Sequence, residues 1–335
     1  MKQIRVHGPD DVRLDDLPAP IPGPSDALVS VGACGICGSD VSYVHMGGLT
    51  GHPMALGHEM AGVVQWVGEA VEDTAVGDRV IVHPDDPELG PMGSGAEQGG
   101  LTPLLLVREA ARKGRLLPVP AGMPLAVAAL AEPLAVGMQA VNQADVSTGD
   151  KVAVFGCGPV GLMAIATLAD RAVDDVVAVD LSRRRRELAA EMGAAHVLDP
   201  SEVDVWDELA RIHGTSPFML GPTAATDAFI EASGSDAVIG EIIEHGRFGG
   251  RMSLVGLHYR PVPTNYLLVL MKQFTIRGSF AYPPRFQDAV DLLERRDLSG
   301  VITHTFRLEE FSAGLDLLAG SRDCGKVMIT MGDDA

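Results

Sequence analysis

The sequence is short of cysteine, of positive charge and of uninterrupted hydrophobic runs. Its four cysteines, Cys34, Cys37, Cys157 and Cys324, are too few to form a disulfide framework in 335 residues, so a reducing compartment, the cytoplasm, is expected. Lys and Arg number 26 against 45 Asp and Glu, a formal net charge of −19. A field of that sign repels phosphate backbones and anionic lipid, so neither nucleic acid nor membrane is an expected partner. The one concentrated positive stretch, Arg183-Arg184-Arg185-Arg186, reads for the most part as a solvated helix face. Two apolar stretches approach spanning length. Pro124 to Val141 is broken by Glu132-Pro133, and Val152 to Ala169 carries Gly156, Gly158, Pro159 and Gly161 in its first half. Neither is expected to cross a membrane. The opening residues, MKQIRVHGPDDVRLDD, contain no apolar core and are not expected to act as a signal peptide.

What is present describes an ordinary globule, 46% hydrophobic and 21% charged, with 39 glycines. Its length predicts two domains. Before about residue 130, short β-like runs such as ALVSVGA, AGVVQWV and DRVIVH alternate with Pro and Gly, the pattern of a mostly β domain. Leu125 to Val141 is helical in character. From Lys151 the rhythm becomes strand then helix: KVAVFG, a helix over Val160–Leu168, VVAVD, a helix over Arg183–Met192, AAHVLD, and a helix near Val205–Ile212. Further strands DAFIEAS, RMSLVGL and FTIRGSF follow. Such alternation predicts a parallel sheet covered on both faces. After Tyr282 come a helix, FQDAVDLLERR, an amphipathic LEEFSAGLDLL and a strand, KVMITM. This block is too short to stand alone and is expected to return to the first domain.

Two constellations carry chemistry. Gly156-Cys157-Gly158-Pro159-Val160-Gly161 leaves an apolar strand and opens a helix, and Asp180 ends the next strand 19 residues beyond Gly161. That is the spacing of a dinucleotide fingerprint. Gly156 permits the turn, Gly158 lets backbone approach a pyrophosphate, and Gly161 lets helix and strand close together. The helix N-terminus supplies N–H groups to the phosphates. Asp180 would accept the adenosine ribose hydroxyls and repel a 2′-phosphate, which favours NAD over NADP. Arg185 is the arginine expected over the adenine end, and an arginine there is also the residue that would hold a 2′-phosphate. The second constellation is Cys34-Gly-Ile-Cys37, with His58-Glu59 about 20 residues on and Glu132-Pro133 further still. A lone CxxC fits a redox pair or half a zinc site. A Cys, a His and one or two carboxylates are also the donor set of a catalytic zinc with an open position.

Together these residues resemble the zinc-containing medium-chain alcohol dehydrogenases. Cys34 to Asp40, CGICGSD, looks like the family's zinc-ligand loop. Gly57 to Val71 fits its signature G-H-E-x2-G-x5-G-x2-V, and Gly77-Asp78-Arg79-Val80 its following turn. Glu231-Ala-Ser-Gly234, Val255-Gly256 and the run from ITHTFRLEEFSAGLDLL to KVMI stand in family order. The resemblance implies an α/β architecture: a GroES-like, mostly β catalytic domain at 1–134 and 282–335, and an inserted Rossmann doubly wound parallel-sheet domain at 135–281. It implies that Cys37 and His58 are zinc ligands, and that Glu59 is a ligand or stands close behind the metal as a catalytic carboxylate. Glu132 then marks the sorbitol and threonine dehydrogenase branch. Cofactor contacts extend to Pro159, Val160, Ser233, Val255 and Gly256. Ser39 would pass on the alcohol's proton, Asp40 would orient a ligand, and Tyr43 either faces substrate or packs as an aromatic.

Two departures qualify the resemblance. His83 to Gly100 contains no Cys where many members carry four for a structural zinc, so one zinc per subunit is expected. Ser42 stands where many members have the outer histidine of a proton relay, with His45 the nearest histidine. The implied activity is hydride transfer between an alcohol (polyol, secondary or amino alcohol) or its ketone and NAD, by a homodimer or homotetramer. An NADPH-dependent carbonyl reductase and a non-catalytic cofactor-binding regulatory protein are the alternatives.

Overall fold

The computed structural model describes residues 1–49, 53–85, 88–321 and 323–332. The chain divides into two compact units, Met1–Glu132 with Phe286–Ala335, and Pro133–Arg285. The chain opens with an antiparallel hairpin, β1 (Lys2–Gly8) and β2 (Asp11–Asp16). β3 (Ala27–Ile36) runs directly into helix α1 (Gly38–Met46). Then follow β4 (Met54–Ala55), β5 (Glu59–Val67), β6 (Arg79–Val82), β7 (Leu104–Val107), β8 (Leu116–Pro118) and a single helical turn, α2 (Leu125–Ala128). Helix α3 (Ala131–Gln143) carries the chain from one unit into the other. By length and composition Leu125–Gln143 could cross a membrane, but 78% of it is buried inside the protein, as a core helix is.

The second unit reads β9 (Val152–Phe155), α4 (Pro159–Asp170), β10 (Val176–Val179), α5 (Arg183–Met192), β11 (His196–Leu198) and α6 (Val205–His213). A two-residue pair, β12 (Thr215–Ser216) with β13 (Thr223–Ala224), precedes β14 (Ala228–Glu231), α7 (Asp236–His245), β15 (Arg251–Leu254), α8 (Tyr266–Lys272) and β16 (Thr275–Gly278). Back in the first unit come α9 (Gln287–Arg295), β17 (Ile302–Arg307), α10 (Phe311–Gly320) and β18 (Lys326–Thr330).

In the first unit the main sheet has the order β17-β18-β3-β5-β6-β8, with β7 paired to β3. β3 is central. Over Ala27–Ala33 it alternates buried and half-buried residues, and then Cys34 to Ile36 are buried without interruption. One face of its first half packs into the core with Val29, Val31 and Val64, and its last residues are enclosed on both sides. β18 pairs antiparallel with this enclosed end, Val327 opposite Ile36, so the returning segment completes the sheet begun by the first domain-sized block.

In the second unit all six sheet strands are parallel, in the order β11-β10-β9-β14-β15-β16. VAVF, VVAV and AFIE are buried at every residue, as strands covered on both faces must be. The order reverses between β9 and β14, which opens a crevice at the strands' carboxyl ends, the place where doubly wound sheets bind ligands. Aromatic residues are only 4% of the chain, and several gather under this sheet. Phe155 stacks on Trp206 at 5.6 Å, and Phe229 lies 6.5, 6.2 and 6.1 Å from Phe155, Trp206 and Phe274. Helix α5 is capped by Ser182, whose hydroxyl accepts the Arg185 N–H, and ends at Gly193 with φ 117°.

Truncating the central ring removes contact to three aromatic neighbours. Phe229→Ala should therefore lower stability by about 3–5 kcal/mol, read by denaturant titration with Trp206 emission as the probe. A loss below about 1 kcal/mol would show that this cluster does not hold the second unit together.

Candidate metal centre and cofactor-binding turn

The buried end of β3 places Cys37 at the N-terminus of α1, in extended backbone. Asp40, three residues on, returns to the cap: its Oδ2 accepts the Cys37 N–H at 2.8 Å. His58 follows Gly57, and Glu59 is the first residue of β5, directly opposite Gly35 of β3. A Cβ at position 35 would lie 1.9 Å from Glu59 Oε2. Glycine at 35 is thus what lets the Glu59 side chain cross β3 and reach β18, where it forms an ion pair with Lys326. Both side chains are 1% exposed. The thiol of Cys37, an imidazole nitrogen of His58 and a carboxylate oxygen of Glu59 all lie within 4.8 Å of one another.

The electrostatics of this cluster are unbalanced. Asp40, Glu59 and Glu132 are buried carboxylates, and Lys326 and His58 are the buried groups able to oppose them. Burial raises the Asp40 carboxyl, with His58 opposing it. Burial works against the charged form of His58, but Asp40, Cys37 and Glu132 outweigh it and hold the imidazole well above its ordinary value. Lys326 is raised in the same way, its burial overcome by Glu59, Cys37 and Glu132. Cys34 is fully buried beside Asp40 and Glu59, which together with burial push its thiol far up, and it is not among the converging donors. Glu59 Oε2 and Asp40 Oδ1 are buried with no hydrogen-bond partner. Orphaned buried carboxylate oxygens are costly. A sulfur, a nitrogen and oxygens converging on one point, with excess negative charge around them, fit a zinc ion.

Glu132 acts electrostatically on both His58 and Lys326 but lies outside the compact three-atom cluster. Ser39 is half-buried in the first turn of α1. Tyr43, on the same helix, is half-buried and packs against the apolar core. Ser42 donates to the Gly38 carbonyl, and His45 pairs at 2.6 Å with exposed Asp10 on the surface. The cysteine-free lobe at 83–100, of which Asp86 and Pro87 lie outside the described residues, is held by buried Arg115, which donates to the carbonyls of His83 and Asp85 at 3.0 and 2.6 Å. From this lobe Ser94 Oγ lies 3.3 Å from His58 Nδ1, while Asp40 Oδ1 lies 3.8 Å from the same nitrogen. Lys326 and Ser94 were not legible as site residues. Lys326 had one signal, a lone cation opening an otherwise apolar strand; Ser94 had none.

In the second unit, Gly156 turns the chain after β9 at φ +93°. A Cβ on Gly161 would sit 1.9 Å from the Gly156 carbonyl, so α4 packs against the turn as closely as backbone permits. Gly158 is the N-cap of α4, with no side-chain cap hydrogen bond, Pro159 is its first residue and Val160 its second. Asp180, just after β10, accepts from the Cys157 and Ser182 N–H groups, both at 2.7 Å, so its carboxylate stands at the glycine turn. Of the four arginines, Arg186 donates to the Asp180 carbonyl and pairs with Asp199 at 2.7 Å, while Arg183 and Arg184 pair with Glu187. Arg185 Nη1 comes within 3.9 Å of where a Gly158 Cβ would lie, beside the turn. Ser233 abuts Gly156, and the N–H groups of Val255 and Gly256 bond the Glu231 carbonyl. The sequence-derived cofactor residues thus gather at the carboxyl ends of β9, β10, β14 and β15.

Comparison with known proteins bears directly on this arrangement. Residues 23–121 match the alcohol dehydrogenase GroES-like domain, and residues 159–295 match the zinc-binding dehydrogenase family. Human sorbitol dehydrogenase is 32% identical over 323 residues, covering 91% of this chain and 89% of that one. The crystal structure of 2R,3R-butanediol dehydrogenase from Bacillus subtilis superposes with a TM-score of 0.86 at 28% identity, covering 99% of both chains. A zinc-binding dehydrogenase from Sinorhizobium meliloti, solved bound to NADP, superposes with a TM-score of 0.85 at 26% identity, covering 98% of this chain and 99% of that one. The matched families and the fold are those of a zinc-binding oxidoreductase of the alcohol dehydrogenase type, with a nicotinamide cofactor. Within that class the chain belongs to the zinc-containing medium-chain dehydrogenases, in the branch similar to sorbitol dehydrogenase.

Exposure separates the four thiols. Cys37 is half-buried, whereas Cys34, Cys157 and Cys324 are buried, and none of the four is in a disulfide. After chelator treatment the native protein should show one fast-reacting thiol toward a disulfide reagent, absent in Cys37→Ser, and three that react only on unfolding. Fast modification of any second cysteine in the native state would contradict the buried arrangement.

Proposed function

We propose that the chain is a zinc-dependent, NAD-linked dehydrogenase of polyols, secondary alcohols or amino alcohols, with one catalytic zinc per subunit. The observation that carries this reading is the convergence of Cys37, His58 and Glu59 in a buried, negatively charged site on which Glu132 also acts. Cys37, His58 and one of the two glutamates would hold the metal. Zinc bound there supplies Lewis acidity, lowering the pKa of a hydroxyl on the metal. Asp40 fixes the Cys37 backbone through one oxygen and faces His58 with the other, and Lys326 restrains Glu59. These contacts set the ligands' orientation in advance. Ser39, two residues from Cys37, takes the alcohol's proton and passes it to solvent. Tyr43 borders the substrate with whatever part of its ring the core leaves free. His45, engaged with Asp10 at the surface, has no place in this relay. The polyol preference rests on the Glu132 branch position and on the named relatives, sorbitol and butanediol dehydrogenases.

The preference for NAD rests on Asp180, whose carboxylate stands at the glycine turn, where it would meet the adenosine ribose. Arg185 beside Gly158 is the observation favouring the second reading, an NADPH-dependent carbonyl reductase. Four cysteines with no disulfide among them agree with a cytoplasmic enzyme. We assign the subunit contact of a homo-oligomer to the free edge of β16 and to α8, where Tyr266, Leu267 and Leu270 are 74%, 64% and 72% exposed.

Three measurements test the reading. NADH formation on a panel of polyols, secondary and primary alcohols and L-threonine should be strongest with a polyol or secondary alcohol, and Cys37→Ser should abolish both turnover and bound zinc; full turnover of a zinc-free variant would refute the metal role. Asp180→Ala should weaken NAD by about tenfold or more relative to NADP, and an unchanged ratio would remove Asp180 as the discriminator. Leu270→Glu should lower the mass measured by light scattering, whereas an unaltered oligomer would place the interface elsewhere.

A further inference from the structure

His258 lies in the segment after β15, and its side chain is only 11% exposed. Both ring nitrogens face carboxylates. Nε2 is 3.0 Å from Glu231 Oε2, and Nδ1 is 3.1 Å from Asp236 Oδ1. A neutral imidazole has one N–H and can satisfy only one of these acceptors; the imidazolium donates to both. The two carboxylates come from different elements. Glu231 is the fully buried last residue of β14, and Asp236 is the first residue of α7. Glu231 is itself a hub. Its Oε1 accepts the Ser233 N–H, the Ser233 hydroxyl and the Gly234 N–H, and its backbone carbonyl accepts the Val255 and Gly256 N–H groups. A Cβ on Gly256 would lie 2.4 Å from Glu231 Oε2, so glycine there is what lets the carboxylate reach His258. The ring therefore closes a clamp between the segment leaving β14 and the segment leaving β15. In a doubly wound sheet the dinucleotide crosses the switch point. Asp180 marks the adenosine side, which leaves these two segments to the nicotinamide side.

We propose that His258 is a positioning residue for the nicotinamide half of the cofactor, fixing Val255–Leu257 against the Ser233–Gly234 turn by bridging Glu231 and Asp236 as an imidazolium. The proposal rests on the nicotinamide-cofactor reading of the second unit. The charged groups acting on the ring are Glu231 from β14 and Asp236 from α7. Burial alone would push the imidazole down, but the hydrogen bonds and charges of those two carboxylates more than offset it and hold it above its ordinary value of 6.5. The sign follows from that direction. The bridge is fully present below about 6.5 and is lost as pH rises through the higher folded-state value, so affinity for the nicotinamide half falls on the alkaline side.

The test is NADH binding to the holoenzyme, followed by nicotinamide fluorescence from about pH 6 to about pH 9, beside calorimetric binding of ADP-ribose, which carries all of the cofactor except the nicotinamide ring. In the wild type, NADH should weaken with rising pH while ADP-ribose does not. At about pH 6, His258→Gln should bind NADH about tenfold more weakly, with a flat pH profile and unchanged ADP-ribose affinity. Asp236→Asn, an exposed change, should move the loss of affinity to lower pH. A His258→Gln protein with wild-type NADH affinity and pH profile would overturn the clamp while leaving the cofactor reading intact. Equal weakening of NADH and ADP-ribose would also overturn it, as general damage to the unit. Failure of the folded wild type to bind either ligand would instead sink the cofactor reading, and the clamp with it.

Discussion

The first unit is organised around a concentration of negative charge that its interior cannot neutralise alone. Three carboxylates and a cysteine face one ammonium and one imidazole in a space nearly closed to water. In such a medium each unpaired charge is expensive, and removing one partner of a buried pair costs far more than the pair itself contributes. The surrounding structure can be read as the means of holding that imbalance in place. β3 loses a side chain at Gly35 so that Glu59 can cross it, β18 brings Lys326 to the other side, and α1 ends its cap on Asp40. The price in stability is offset by the apolar sheet around Val29, Val31 and Val64, and by the divalent cation that the donor set fits.

The second unit solves a different problem, keeping a strand's end, a turn and a helix close enough for backbone N–H groups to face a phosphate. Here the local sequence is nearly sufficient. The fully apolar VAVF, the glycines at 156 and 161 and the acid at 180 each act within one βαβ unit, so their roles follow from spacing alone. That is why this fingerprint and the α5 limits could be read before any fold was known.

The metal centre was legible only in part, for the converse reason. Cys37, His58, Glu59 and Glu132 were recognisable as residue types, but what joins them is long-range. Lys326 meets Glu59 across 267 positions, and Ser94 reaches His58 across 36. No periodicity announces such pairs. Helix α1 was hidden because its start follows the glycine-containing run CGICGS, of low helical propensity; capping by Asp40 and packing of Val44 make it a helix. The β1–β2 hairpin was missed because its second strand, DVRLDD, is mostly polar and half-exposed. His45 shows the limit of proximity in sequence: eight residues from Cys37, it is spent on Asp10 at the surface.

The placement of Lys326 on β18 also bears on how the protein comes into being. During vectorial synthesis the clustered donors Cys37, His58 and Glu59 emerge early, yet the ammonium that balances Glu59 is added only after the whole inserted unit has been made. Until then the first sheet lacks the strand that closes the buried end of β3, and the entropy of closing so long a loop has not been met. The inserted unit, with its own continuous sheet, has no such dependence and can fold as soon as it is complete. A chain interrupted before β18 would therefore hold Cys37, His58 and Glu59 without the ammonium that balances Glu59.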